Sequence, residues 1–368
     1  MTPERLAYVA LALTPGIGAA RLANLLARLG SATRALRATQ KDLEAVPRMS
    51  CAAATAVRAA SVDRAVVITA QAEAAGGRVL LPADGEFPES LRAIPEPPTL
   101  LFVRGRLELL AGPALAVVGS RAHTRYGAEA ARHLAGGCAR AGLVIVSGMA
   151  RGIDALAHEA ALENGGATIG VLGNGFGIVY PAANRALYER VAQHGLLLTE
   201  FPPGERPTAG SFPRRNRLIS GLARVTLVVE AREKSGALLT VESALSQGRD
   251  AMAVPGPITS PTSVGCNRLI QNGAKPVLGL RDLLEEYEIN FENAPSVRLP
   301  TDLSEAERRV LAALDDRPRH VDGLAESLGV DLGETLAVLT SLEIRGLASQ
   351  APGKLFRRHS LFAAASGP

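Results

Sequence analysis

Three arginines, Arg214, Arg215 and Arg217, fall within four positions, with Phe212 just ahead of them and Asn216 among them. A guanidinium is a planar, permanently charged fork that suits a phosphate, and an aromatic ring beside such a cluster can carry a stacked base. On a helix the three arginines cannot share one face, so at least one is expected to turn toward the strand ends beneath it. Asn216 could orient a turn or reach a sugar or base edge. Two other stretches offer related chemistry. In "VVGSRAHTRYG", residues 117–127, an apolar run breaks at Gly119 and continues as Ser120 and Arg121; in "KSGALLT", residues 234–240, Lys234 precedes a Ser235-Gly236 turn. Both read as a turn opening a helix, whose free N–H groups can hold an anion. A dinucleotide turn would need glycines at 121 and 124, where Arg121 and Thr124 stand, so a pyrophosphate cradle is excluded. A single phosphate ligated by Arg121 fits the first turn. The plainer alternative is a helix start with a surface arginine, and for Phe212 a place in the core.

Groups that would transform a bound ligand are missing. The six histidines contain no H-E-x-x-H and no clustered pair, so no metal is expected. Asp154 and His158 lie four apart on an expected helix and could bond to each other, as a local pair would. Neither a G-x-S-x-G elbow nor a Walker A sequence is present. The pattern is that of an anion-binding protein with no catalytic residues and no cofactor, not of an enzyme.

The elements that must position these groups form three segments. A chain of 368 residues that is 47% hydrophobic exceeds one comfortable core. Residues 1–80 are helical by pattern and carry 10 Lys+Arg against 5 Asp+Glu. Here "LTPGIGAARLANLLARLGS" has the form of a helix-hairpin-helix, which offers backbone N–H groups to a DNA phosphate; the plainer alternative is helix packing alone. A second copy begins near Asp42, with Arg48 and Ser50 where glycines belong, so its phosphate turn is expected to be lost; the pair reads as a SAM-like or double-hairpin domain. Residues 82–289 alternate strand and helix. The apolar runs 99–105, 115–119, 143–148, 167–173, 196–200, 225–231, 250–256 and 275–279 lack polar alternation and are separated by helical patterns, which implies a parallel, Rossmann-like α/β sheet covered on both faces. Ligands of such sheets bind at the carboxyl ends of the strands, so the turns at Gly119–Arg121, Ser147-Gly148, Ser235-Gly236 and Pro255–Pro257 are expected to outline one site. Residues 290–302 read as a linker and 303–368 as a winged helix. Its would-be recognition helix, 332–344, carries Glu334 and Glu343 but no Lys or Arg, which favours a packing or partner role over base reading. Three scattered cysteines and the lack of a leader or an 18-residue apolar run point to a cytoplasmic protein without membrane contact.

Five motifs in series, from "VVGSRAHTRYG" through "FPRRNRLISGLARVTLVVEAREKSGALLTVESALSQGRDAMAVPG" to "GCNRLIQNGA", resemble the DNA-processing protein A family (DprA, also called Smf) over residues 82–280. The resemblance implies sequence-independent binding and protection of single-stranded DNA, loading of the RecA recombinase in natural transformation or repair, and a homodimer formed through the Rossmann-like domain. The DNA-binding residues it carries over are Gly119, Ser120, Arg121, Ser147, Gly148, Phe212, Arg214, Arg215, Asn216, Arg217, Lys234, Ser235 and Gly236. After Tyr180-Pro181 many members have a lysine; this chain has Ala182, with Arg185 one turn on. A second resemblance, to the phosphoribohydrolases sometimes called lysine decarboxylases, rests on Thr240 and Glu242 and would make the protein a nucleotide-processing enzyme; that family's glycine cradle is absent.

Overall fold

The computed structural model describes residues 1–289, 302–315, 318–345 and 347–358. The chain divides into two compact units, 1–291 and 292–368. The linker read at 290–302 lies outside the described residues up to position 301.

Six helices open the first unit: α1 (Pro3–Ala12), α2 (Ala19–Leu29), α3 (Ala32–Arg37), α4 (Gln40–Glu44), α5 (Cys51–Arg58) and α6 (Val62–Ala74). The two hairpin turns prove to be copies of one another. Gly16 takes a left-handed backbone at φ +80°, and Arg48 takes the same conformation at φ +65° despite its side chain. Ile17 and Met49 follow, both buried, with matching backbone bonds to Thr14 and Val46 at 3.1 Å each. The second turn therefore keeps its shape although its glycines are gone. Arg21 bonds the carbonyls of Gly16 at 2.6 Å and Arg48 at 2.9 Å, which holds the two turns side by side.

The sheet has nine strands: β1 (Arg78–Leu80), β2 (Leu101–Gly105), β3 (Ala114–Val118), β4 (Val144–Ser147), β5 (Thr168–Val171), β6 (Leu196–Thr199), β7 (Val225–Val228), β8 (Asp250–Ala253) and β9 (Lys275–Pro276). Their order is β1-β2-β6-β5-β4-β3-β7-β8-β9. Pairings from β6 to β9 are parallel, as expected. The β1–β2 and β2–β6 pairs are antiparallel; between β1 and β2 the chain forms only the single-turn α7 (Glu89–Arg92) and no crossover helix of the kind that joins parallel strands.

Helices cover both faces: α8 (Arg125–Arg140), α9 (Ile153–Glu163), α10 (Arg185–His194), α11 (Ser211–Leu222), α12 (Gly236–Ser246), α13 (Val264–Gln271) and α14 (Leu280–Glu286). Alternation along β3 sorts them. Leu115 and Val117 pack with α8, α9 and α14 on one face, whereas Ala116 and Val118 pack with α11 and α12 on the other. Helices α1 and α6 share a third core with α10 and with Phe102 of β2, so residues 1–74 and the sheet belong to one unit.

The second unit is a winged helix by itself. It comprises α15 (Glu305–Ala313), β10 (Arg319–His320), α16 (Val321–Leu328), α17 (Leu332–Ile344), β11 (Ala348–Ala351) and β12 (Leu355–Arg358), with a sheet ordered β10-β12-β11. Leu339 and Leu342 of α17 are buried with Leu311, Leu324 and Phe356.

Candidate functional site

The strand order reverses between β3 and β7: successive strands after β3 run outward on one side, and β7 returns to the other. The helices that follow these two strands lie on opposite faces, so the loops leaving their carboxyl ends diverge and open a crevice. A cleft of about 430 Å³ lies there. Gly119, Ser120, Arg121, Phe212, Arg215, Asn216, Lys234, Ser235 and Gly236 line it, whereas Ser147, Gly148, Arg214 and Arg217 do not.

The first turn is built differently from a phosphate cradle. A side chain at Gly119 would come within 2.8 Å of Ile153, whose N–H donates to the Ser120 carbonyl at 3.1 Å. Ser120 Oγ accepts from the Ala122 N–H at 3.1 Å. Gly152 stands at φ +79°, and a side chain there would strike Arg121 Cα at 2.8 Å. These glycines interlock two loops and thereby fix Arg121. Helix α8 does not start at this turn but at its N-cap, Thr124. Glu230, buried at the end of β7, accepts from the Thr124 N–H at 2.9 Å and its hydroxyl at 2.6 Å. The anion expected at that helix N-terminus is thus the protein's own carboxylate, favoured there by the helix dipole. Any phosphate is left to the Arg121 side chain, which is exposed, has no ion-pair partner among the described residues, and places its guanidinium 5.6 Å from the centre of the Phe212 ring.

The three clustered arginines separate as a helix requires. Arg215 turns inward, only 5% exposed. Its guanidinium donates to the carbonyls of Gly148 and, at 2.9 Å, Val171, and its Nε donates to Asn216 Oδ1 at 3.1 Å. Asp154, also buried, accepts from the Gly148 N–H at 3.1 Å and the Ala150 N–H at 3.4 Å. Burial pushes the Asp154 carboxyl up, against the opposing charge of Arg215. Arg217 donates to both carboxylate oxygens of Glu200, at 2.6 and 2.5 Å. Arg214 is exposed and lies 4.9 Å over the Phe201 ring. Asn216 reaches the Gly236 carbonyl at 3.5 Å, so it orients a turn. Ser147 is fully buried and donates to the Val117 carbonyl at 2.6 Å, as a tie between β4 and β3.

At the β7 end, Ser235 caps α12, accepting from the Ala237 N–H at 3.3 Å. No acidic residue sits in the first turn of α12, Gly236 faces open space, and Lys234 is exposed without an ion-pair partner among the described residues. Here, unlike at α8, the helix start is vacant of carboxylate. The expected fourth turn does not join: Asn267 bonds both the N–H and the carbonyl of Gly256, at 3.1 and 3.0 Å, and the turn stands outside the cleft lining.

Sequence reasoning missed Tyr180. A second aromatic joins the cluster: the Tyr180 ring lies 5.8 Å from the Phe212 ring, tilted by 41°. The signals were its place in the loop after a strand and the Tyr180-Pro181 pair itself, which serves in the sequence reading only as the landmark for the position of Ala182. Asp154 and His158 do not bond each other; His158 Nδ1 pairs with Thr168 Oγ1 at 2.6 Å. Asp154 is the carboxylate among the cleft-lining residues, and Thr240 lines the cleft while Glu242 does not. No group of three His, Cys, Asp or Glu among the described residues is placed to hold a metal ion, and none of the described helices is long and apolar enough to cross a membrane.

The family described as DNA recombination-mediator protein A matches residues 78–288, and that described as the DprA winged helix domain matches 294–354. Protein Smf of Escherichia coli K12 is 41% identical over 287 residues, covering 76% of this chain and 77% of that protein. DNA processing protein DprA of Streptococcus pneumoniae R6 is 47% identical over 205 residues, 56% of this chain and 72% of that one. Among solved structures, the X-ray structure of DNA processing protein A from Streptococcus pneumoniae aligns with a TM-score of 0.66 at 34% identity, covering 79% of this chain and 99% of that one. A structure of the Helicobacter pylori protein, described for its single-stranded DNA binding mode, aligns with a TM-score of 0.53 at 29% identity, covering 58% and 95%.

Proposed function

Because the chain belongs to the DNA recombination-mediator protein A family, we propose that it binds single-stranded DNA without regard to sequence along the carboxyl edge of its large sheet, and presents the bound strand to the RecA recombinase. The observation that carries this reading is the composition of the cleft at the strand-order switch. Unpaired cations, Arg121 and Lys234, and a half-buried aromatic, Phe212, meet there. The one lining carboxylate, Asp154, is spent on backbone N–H groups beside Arg215. Such a site takes an anion with an attached flat base and has nothing poised to cleave it. Arg121 and Lys234 act as phosphate ligands, Phe212 as a stacking face, and Arg214 as an exposed cation next to the cleft. Arg215, Asn216 and Arg217 hold the frame: they donate to Gly148, Val171, Gly236 and Glu200, with Arg217 Nη1 buried and unpartnered.

The similarity to the Helicobacter pylori protein, whose structure is described for binding single-stranded DNA, supports the choice of single strands. The family's description as a recombination mediator supports the handover to a recombinase. Residues 82–289 are assigned to DNA, 1–80 and 303–368 to accessory roles, and a homodimer in the cytoplasm to the working form. The test is affinity for oligothymidylate against duplex of equal length over a salt series, with a parallel assay for base released from nucleoside monophosphates. Tighter single-strand binding, with affinity falling as salt rises, and no released base are expected. Preference for duplex, or release of base, would overturn the reading. The RecA step is read separately, as faster filament assembly on strands precoated with a single-strand-binding protein.

A further inference from the structure

We propose that Tyr180 is a second stacking platform, carrying the base next to the one carried by Phe212; this rests on the single-strand reading above. Tyr180 is 44% exposed at the rim of the cleft. An aromatic ring left in water is ordinary on a surface, but the loop that carries this one is anchored. The Tyr180 carbonyl accepts from Tyr188 Oη at 2.9 Å, and Pro181 after it is buried. Asn184 of the same loop donates to the carbonyls of Met149 at 2.9 Å and Ala150 at 3.1 Å, which ties the β5 loop to the β4 loop. The backbone that carries the ring is fixed in this way, and that preorganisation favours a stacking role. Phe212 is half-buried and already touches both Arg121 and Tyr180, so Tyr180 offers the more exposed of the two rings.

The direction of the track follows from sheet order. The loops of β7, β3, β4 and β5 succeed one another along the carboxyl edge, which at roughly 4.8 Å per strand spans about 14 Å. Neighbouring loops can therefore serve neighbouring nucleotides: Lys234 and Arg121 first, then Tyr180. Exposed Arg151 in the β4 loop and Arg185 at the start of α10 have no ion-pair partner among the described residues, and both sit where the next phosphates would pass.

The competing role for Tyr180 is packing against Phe212. Full-length wild type, Tyr180→Leu, Tyr180→Phe and Phe212→Leu are compared for affinity to oligothymidylates of increasing length, with melting temperature recorded for each. Stacking predicts that Tyr180→Leu weakens binding to long oligomers by roughly five- to a hundredfold, that Tyr180→Phe restores it, and that the loss fades for oligomers short enough to fill the cleft alone. In a strand carrying 2-aminopurine at successive positions, wild type should quench two adjacent positions and Tyr180→Leu one. A Tyr180→Leu loss equal at every length, or none while Phe212→Leu binds weakly, overturns the assignment and leaves the single-strand reading standing. If wild type binds no oligothymidylate, both fall together.

Discussion

The Arg121 guanidinium stands 5.6 Å from the centre of the Phe212 ring, so the cation and the stacking face of the cleft are in contact in the free protein. A phosphate drawn to Arg121 therefore arrives beside the ring that can take its base. For single strands each neutralised phosphate adds about −0.7 to the slope of log affinity against log salt. Arg121→Ala is expected to make that slope shallower by roughly 0.7 per engaged subunit, equally for all base compositions. Arg224 supplies the control, because it is exposed and immediately precedes β7, at the amino edge of the sheet. Equal losses of slope in Arg121→Ala and Arg224→Ala would mean general electrostatics and no clamp.

Phe212→Leu should cost about 1 to 3 kcal/mol of oligothymidylate binding with a small change in melting temperature, since the ring is only half-buried. Gly173 offers a gentler probe. A methyl group there would lie 3.2 Å from Phe212 Cδ1, so Gly173→Ala should displace the ring slightly and weaken binding severalfold while the fold persists. A large drop in melting temperature with unaltered affinity would place Phe212 in the core instead.

Arg215 is expected to behave oppositely to Arg121. Its removal leaves the buried Asp154 without the nearby charge and the Gly148 and Val171 carbonyls without donors. Each buried polar group left without its hydrogen bond costs about 1 to 3 kcal/mol, so Arg215→Leu should melt far below wild type in chemical or thermal denaturation. Arg215→Lys should recover little, because an ammonium cannot reproduce the guanidinium fork. A stable Arg215→Leu protein that merely binds DNA poorly would reverse this assignment.

His158 gives a pH signature. Burial pushes its pKa down to about 3 from 6.5. Between those two values the unfolded chain holds a proton that the folded chain does not, so stability rises with pH across the window and is lost as pH falls below 6.5. The contribution is at most about 1.4 kcal/mol per pH unit. His158→Gln should flatten the dependence of stability on pH in that window; identical steepness in wild type and variant would show that other groups set the acid limb.

Removal of the winged-helix unit, residues 292–368, should leave affinity for single strands within about threefold, an order-of-magnitude expectation from counterion release at one phosphate or fewer. Helix α17 carries no Lys or Arg, and Arg345 just after it is paired with Asp302 and Glu307. A tenfold loss would show that the wing binds DNA.

The sequence by itself determined the elements. All eight apolar runs became strands, and the turn residues between them fell at element ends, Gly119 just after β3 and Gly236 at the start of α12, because hydrophobic patterning and turn preferences act over a few neighbouring residues. It also marked "FPRRNR" as the richest chemistry. Only the tertiary structure decided how that chemistry is spent. Partners far along the chain took Arg215 to Val171, Arg217 to Glu200 and the start of α8 to Glu230, which left Arg121 and Lys234 unpaired. The antiparallel β1 and β2, the survival of the Arg48 turn and the meeting of Tyr180 with Phe212 were likewise beyond local reading. Each depends on which distant segments pack together, and a buried charge must find whatever partner that packing brings.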